Sequence, residues 1–400
     1  MGNAHRMTDT TKSSFSPKAA LRFVLLMGVV SLFADMTYEG GRSITGAFLG
    51  HLGANAAIVG VVAGGSELLG YGVRIFAGRL ADRTGRPWLQ IFIGYALNLF
   101  CVPALALAGA WPAAAGLIIG ERLGRGIRRP ATSALISRAG KELGSGRVFG
   151  INEALDQTGA TVGPLTVAYV LFHGDNFAPA FAMLAIPAAL ALVFLAVAAS
   201  QFGVRIAHAY TKPTGKNSFS LPYRYYVAGG ALFAAGMADF ALVAFHFQQT
   251  HMIPVGAIPL MYALAMVTGA IAAPLLGHLF DRYGILILAC ALVASAFAAP
   301  LLFLGDAQLA AIGIVLWGVG MTVGDSLVLA AISKVTHESR RGTAFGTFDS
   351  IFGVAWFIGS ALMGLLYDRS PAALVAFSVI FQLLAVIVFV AGAKRHAPAA

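Results

Sequence analysis

Runs of about 20 apolar residues, enough to cross the hydrocarbon core of a bilayer as a helix, follow one another along this 400-residue chain with only short charged stretches between them. They fall near 20–46, 54–77, 88–109, 113–133, 147–171, 177–200, 223–249, 256–276, 285–304, 309–331, 343–367 and 372–393. Twelve such runs predict an all-α membrane protein and leave little chain for a soluble domain. Composition agrees. Apolar residues make up 58% of the chain and charged residues 11%, against roughly 25% charged in soluble domains. So little charge cannot cover a soluble surface. Arg6, Lys12 and Lys18 ahead of the first run resemble a secretory leader, but that run carries Asp35 and Glu39. It lacks a small-residue cleavage site and reads as a retained helix.

The net charge of +10 does not point to nucleic acid, because the basic residues sit in short loops without interleaved aromatic residues. They alternate by side. Arg79, Arg83 and Arg86, then Arg138, Lys141 and Arg147, then Arg205, Lys212, Lys216 and Arg224 lie at one end of the runs, with Arg282, Lys334, Arg340, Arg341, Lys394 and Arg395. The other end has little beyond Arg369, Asp175 and Asp306. The positive-inside rule puts both termini in the cytoplasm, of a plasma (bacterial inner) membrane. Cys101 and Cys290 each lie inside an apolar run and read as packing residues.

The chain repeats itself. ALISRAGKELGSGRVFG (134–150) matches AAISKVTHESRRGTAFG (330–346) at seven of 17 positions, and GRLADRTG (78–85) matches GHLFDRYG (277–284) at five of eight. Both pairs read as loops on the basic side. They imply two parallel six-helix bundles, 20–200 and 223–393, with tails at 1–19 and 394–400 and a polar linker at 201–222. Parallel repeats of this kind mark transporters with a substrate site at the midplane.

GRLADRTGR (78–86) resembles the loop motif of the major facilitator superfamily between its second and third spans, with a weaker copy where that family expects one. Gly78 and Gly85 read as turn residues. The resemblance makes Gly78, Asp82, Arg83 and Gly85, with Asp281 and Arg282 in the copy, a conformational latch at the membrane rim. Arg122 and Gly126 resemble the family's fourth-span motif, although Arg125 stands where glutamine is usual. Gly150, Gly159, Gly163 and Pro164 keep the spacing of its antiporter motif, with Val167 in place of a further glycine. The resemblance implies alternating access by two rocking bundles around a cavity lined by the first, fourth, seventh and tenth spans.

Charges at membrane depth mark ion, proton or substrate paths. Asp35, Glu39 and Arg42 are spaced to share one helix face, as are Asp239 and His246. Proton-coupling candidates are Asp35, Glu39, Asp239, Glu153 and Asp156; two carboxylates one turn apart favour Asp35, because Glu39 is nearer Arg42. Substrate-binding candidates are Arg42, Tyr38, Arg122, His246, Trp317 and Asp325. No metal site, nucleophile triad or phosphate-binding loop is legible, so neither enzyme activity nor a cofactor is expected. The expected activity is proton-coupled export of a small organic molecule by a monomer in the bilayer. The alternatives are uptake or facilitated diffusion of an organic anion or sugar-like solute, with Arg42 and Arg122 as grips, and a non-transporting receptor or assembly factor.

Overall fold

A computed structural model describes residues 17–84, 87–143, 145–174, 176–202, 220–336 and 341–395; at 79–84, 137–150, Asp325 and a few others it describes the backbone alone. The described residues contain sixteen α-helices. In the N-terminal half these are α1 (Pro17–His51), α2 (Ala56–Thr84), α3 (Pro87–Ala104), α4 (Trp111–Leu143), α5 (Ser145–Gly174), α6 (Phe177–Met183) and α7 (Ala185–Phe202). In the C-terminal half they are α8 (Leu221–Gly236), α9 (Phe240–Thr250), α10 (Ile258–Tyr283), α11 (Ile285–Ala296), α12 (Ala298–Leu304), α13 (Ala307–Thr322), α14 (Val328–Lys334), α15 (Arg341–Arg369) and α16 (Pro371–Lys394). Bends at Leu184 and Phe297 join α6 to α7 and α11 to α12, and a π-helical turn, Val323–Leu327, joins α13 to α14. With α8 and α9 counted together, the helices string into twelve rods close to the expected runs.

Nine rods have the length and hydropathy to cross a bilayer. The others are the α13–α14 rod, whose apolar helix is short, and α4 and α5, whose charged and polar residues lower their hydropathy. Side chains set the helix ends. Asn55 Oδ1 accepts from Ile58 N at 2.9 Å, and Asp306 Oδ1 accepts from Gln308 N and Leu309 N at 3.1 and 2.9 Å, so both cap the first free amides of a helix.

Two expectations change. The shorter repeat is helical where it is described: 78–84 lies within α2 and 277–283 within α10, so Gly78 is not a turn residue. Gly284, the counterpart of Gly85, follows the end of α10 with a φ of 62° that suits glycine, while Gly85 itself lies outside the described residues. The run at 223–249 is not one helix either. It breaks at Met237–Asp239, and Asp239 caps α9 from the break, so Asp239 and His246 do not share one helical face.

The two halves meet along α2 with α15, α1 with α9, and α5 with α10. Small residues make this possible. A Cβ on Gly60 would strike the Ser360 carbonyl, on Gly46 the Ala241 carbonyl, and on Gly256 the Phe172 ring. Asp368, at the end of α15, reaches across to the start of α2, where its two carboxylate oxygens accept from Ala56 N and Ala57 N at 3.0 Å each. All these contacts lie toward the face distant from where α1 begins and α16 ends. That distal face is sealed.

Candidate functional site

Beneath the seal, α1, α2, α4 and the α8–α9 break bring charged side chains together. Glu67 of α2 is the hub: Oε1 lies 3.4 Å from Arg42 Nη2 of α1 and 3.1 Å from Arg122 Nη2 of α4. Arg122 also pairs with Glu121 at 3.1 Å, and Asn98 Nδ2 donates to Glu121 Oε1 at 2.7 Å. Arg42 extends to Asp239 Oδ2 in the other half, 3.9 Å away. Asp239 is further satisfied by Ala241 N (2.9 Å) and Trp356 Nε1 (3.1 Å). By helix rise, Arg42, Glu67, Arg122 and Asp239 sit roughly 13–17 Å from the distal helix ends, near the middle of a bilayer core. Tyr38, Arg42, Ser66, Glu121, Arg122 and Asp239 help to line a cavity of about 40 Å³, enough for a single water.

A second group lies one turn nearer the start of α1. Glu39 faces Arg125 (3.7 Å) and accepts from the Tyr262 hydroxyl of α10, a second link between the halves. Arg125 Nη2 donates to Tyr38 Oη at 3.3 Å, and its guanidinium carbon lies 4.3 Å from the Tyr38 ring centroid. Glu39 is therefore held by Arg125 rather than by Arg42. Arg128, one turn on, stacks over Tyr95 at 4.2 Å and stands 5.9 Å from the Tyr38 ring.

Asp35 is buried against α5, where a Cβ on Gly159 would come 3.0 Å from its own Cβ. Gly159 and Gly163 abut the Leu32 and Met36 carbonyls, so the glycine spacing read in the sequence seats α1 on α5. Pro164 lies inside α5, while the side of Gly150 is outside the described residues.

The remaining candidates whose side chains are described have partners outside these two charged groups. Asp156 bonds to Asn152 (2.9 Å) and exposed Glu153 to Gln157 (2.8 Å), both within α5. His246 is buried in the C-terminal half, with Nδ1 2.7 Å from the Tyr367 hydroxyl and its ring against Phe303. Trp317 donates to Ala238 O at 2.8 Å and packs on Phe240, so it braces the α8–α9 break. Asp281 pairs with Lys334 at 3.2 Å within its own half, and Arg282 lies over Tyr283. Asp325 sits in the π-helical turn. Its side chain, those of Asp82 and Arg83, and Gly85 lie outside the described residues. The sequence reading left out Tyr262, Trp356 and Asp368, which are ordinary in their own segments and matter through contacts with the other half. Arg128 was legible as one of four arginines in ERLGRGIRRP.

The model of the Major Facilitator Superfamily matches residues 24–222 and 225–398. The chain belongs to the major facilitator superfamily. Within it, an uncharacterized protein of Mycobacterium tuberculosis is 37% identical over 391 residues, 95% of each chain. An uncharacterized MFS-type transporter of Methanocaldococcus jannaschii is 24% identical, covering 90% of this chain and 92% of its own. Among solved structures, the peptide transporter POT superposes with a TM-score of 0.78 at 14% identity (96% of this chain, 99% of that one). A bacterial homologue of the iron transporter ferroportin, in an inward-facing state, gives 0.72 at 17% (94% and 99%). These similarities establish the superfamily fold and a transporter rather than an enzyme. The all-α membrane expectation holds.

Proposed function

We propose that this chain is a secondary active exporter, exchanging protons for a small organic solute by alternating access as a monomer with both termini cytoplasmic. The observation that carries the reading is Asp35. It is buried on α1 with Tyr38 as its hydrogen-bond partner and, among the described residues, makes no ion pair, whereas Glu39, Glu67, Glu121 and Asp239 each have a cationic partner. A buried carboxyl that no ion pair holds can be compensated in turn by a proton or by a cationic group of the solute. The paired acids instead hold the N-terminal half together and tie it to the other half through Arg42–Asp239 and Glu39–Tyr262. Breaking and remaking those two contacts would accompany rocking.

Export is supported by the glycine spacing in α5, which resembles the antiporter pattern and brings Asp35 against that helix. The organic-anion alternative gains less support, since Arg42 and Arg122 are already matched to carboxylates of the chain. Asp35→Asn in proteoliposomes tests the proposal. Accumulation driven by an imposed pH gradient should vanish even where some solute counterflow is still measurable. Full uphill transport with unchanged pH dependence would place the proton elsewhere.

A further inference from the structure

Two buried charges of opposite sign remain outside the ion-pair network, and they are neighbours. Arg128 is 8% exposed and Asp35 7%. Each lies within electrostatic reach of the other, but the two form no ion pair. The Nε of Arg128 is buried without a hydrogen-bond partner, and the Tyr95 and Tyr38 rings lie against its guanidinium. Ring contacts position a guanidinium without satisfying its N–H donors, and Nε here is such a donor. Every other arginine facing this part of α1 is occupied: Arg125 by Glu39 and Tyr38, Arg122 by Glu67 and Glu121. The groups around Asp35 are Tyr38 and Glu39 on its own helix, Arg125 and Arg128 on α4, Asp156 on α5 and Tyr95 on α3. Of these, Tyr38 hydrogen-bonds to Asp35, and none forms an ion pair with it.

We infer that the transported solute is a zwitterion, whose anionic group is received by Arg128 and whose ammonium group is received by Asp35. A carboxylate or phosphonate accepts from the guanidinium donors, bidentately where geometry allows. An ammonium group gives Asp35 the counter-charge that the chain withholds. Tyr38 and Tyr95 supply flanking aromatic surface, which suits a compact amino-acid-like body. A solute carrying one charge leaves the other buried group uncompensated, a cost that selects against it. The inference rests on the export reading, because an ammonium at Asp35 occupies the place of the exchanged proton.

The test is a thermal-shift screen of the purified detergent-solubilised chain. The library holds size-matched zwitterionic amino acids and small peptides, their N-acetyl forms (anion only) and their carboxamide forms (cation only). Stabilising compounds should be zwitterions, with either blocked form needing about ten- to a hundred-fold higher concentration for the same shift. Arg128→Gln should erase the penalty for the carboxamide, and Asp35→Asn the penalty for the N-acetyl form. Arg128→Lys, which keeps the charge, should retain most of the preference and controls for folding. Hits confined to singly charged compounds, an absence of zwitterionic hits, or a ranking unmoved by both neutral variants would overturn the inference. Failure of the export reading looks different: zwitterions bind with this charge dependence, yet a pH gradient does not drive them.

Discussion

The hydroxyl of Tyr262 donates to Glu39, so a carboxylate held by the N-terminal half takes a hydrogen bond from the C-terminal half. Tyr262→Phe keeps the ring, which packs on Phe240 at 4.6 Å, and removes only the donor. The expected loss is about 1.5–3 kcal/mol, typical of a hydrogen bond to a charged group. It should appear as a lower melting temperature and as a shift toward distal opening in spin-label distances between α1 and α10. An unaltered distance distribution would show that this contact does not help to hold the halves together.

Glu67 serves two arginines, so Glu67→Ala leaves both Arg42 and Arg122 under-compensated. Removing one member of a buried ion pair costs about 3–5 kcal/mol. Glu67→Asp should recover part of that in thermal unfolding. Equal stability of wild type and Glu67→Ala would mean that the pairs are solvated.

Gly163 and Gly116 make a matched comparison. A methyl group at Gly163 collides with Met36 backbone, its Cα at 2.8 Å, whereas at Gly116 it meets open space. Gly163→Ala should destabilise by about 1–3 kcal/mol through overpacking. Gly116→Ala should gain up to about 1 kcal/mol from helix propensity. A reversed order in melting temperatures would contradict the α1–α5 packing.

Asp368 caps a helix of the opposite half. Asp368→Ala removes that cap, worth about 0.5–2 kcal/mol, from the sealed conformation alone. In a background without Cys101 and Cys290, a cysteine at buried Ser360 should then react several-fold faster with a membrane-impermeant thiol reagent. Asp368→Asn, which keeps an acceptor, should lie between. No change in reactivity would make Asp368 a bystander of the seal.

Orientation is open to direct labelling. Single cysteines at Ser218 and Asn176 should react from opposite sides of the membrane, Ser218 from the cytoplasm, as the distribution of Lys and Arg requires. Labelling of both from one side would refute the topology.

Much of the fold was legible because helix length is set by the bilayer and not by distant contacts. The run expected at 285–304 coincides with the rod from Ile285 to Leu304, and most others end within a few residues of expectation. Spacing also put Asp35, Glu39 and Arg42 on one face of α1, where Glu39 and Arg42 join the ion pairs and Asp35 lies against α5. Partner choice was not legible. Proximity in sequence assigned Glu39 to Arg42, while helix packing brought Arg125 from α4 instead. Periodicity also joined Asp239 to His246, since nothing in MADF announces that a carboxylate will cap a new helix there. Residues such as Asp368, whose partners lie more than 300 positions away, carry no local signal at all.

The break at Met237–Asp239 has a mechanical consequence. α8 packs with α15 and α16, whereas α9 leans on α1, so one rod is shared between the two bodies that alternating access would move apart. A continuous helix there would have to bend or lose backbone hydrogen bonds whenever those bodies part. This rod is already divided: Asp239 has taken up the free amide of Ala241, and Trp317 holds the carbonyl of Ala238. It acts as a pre-cut joint whose loose ends are tied off, and tilting α9 against α8 need not rupture either helix.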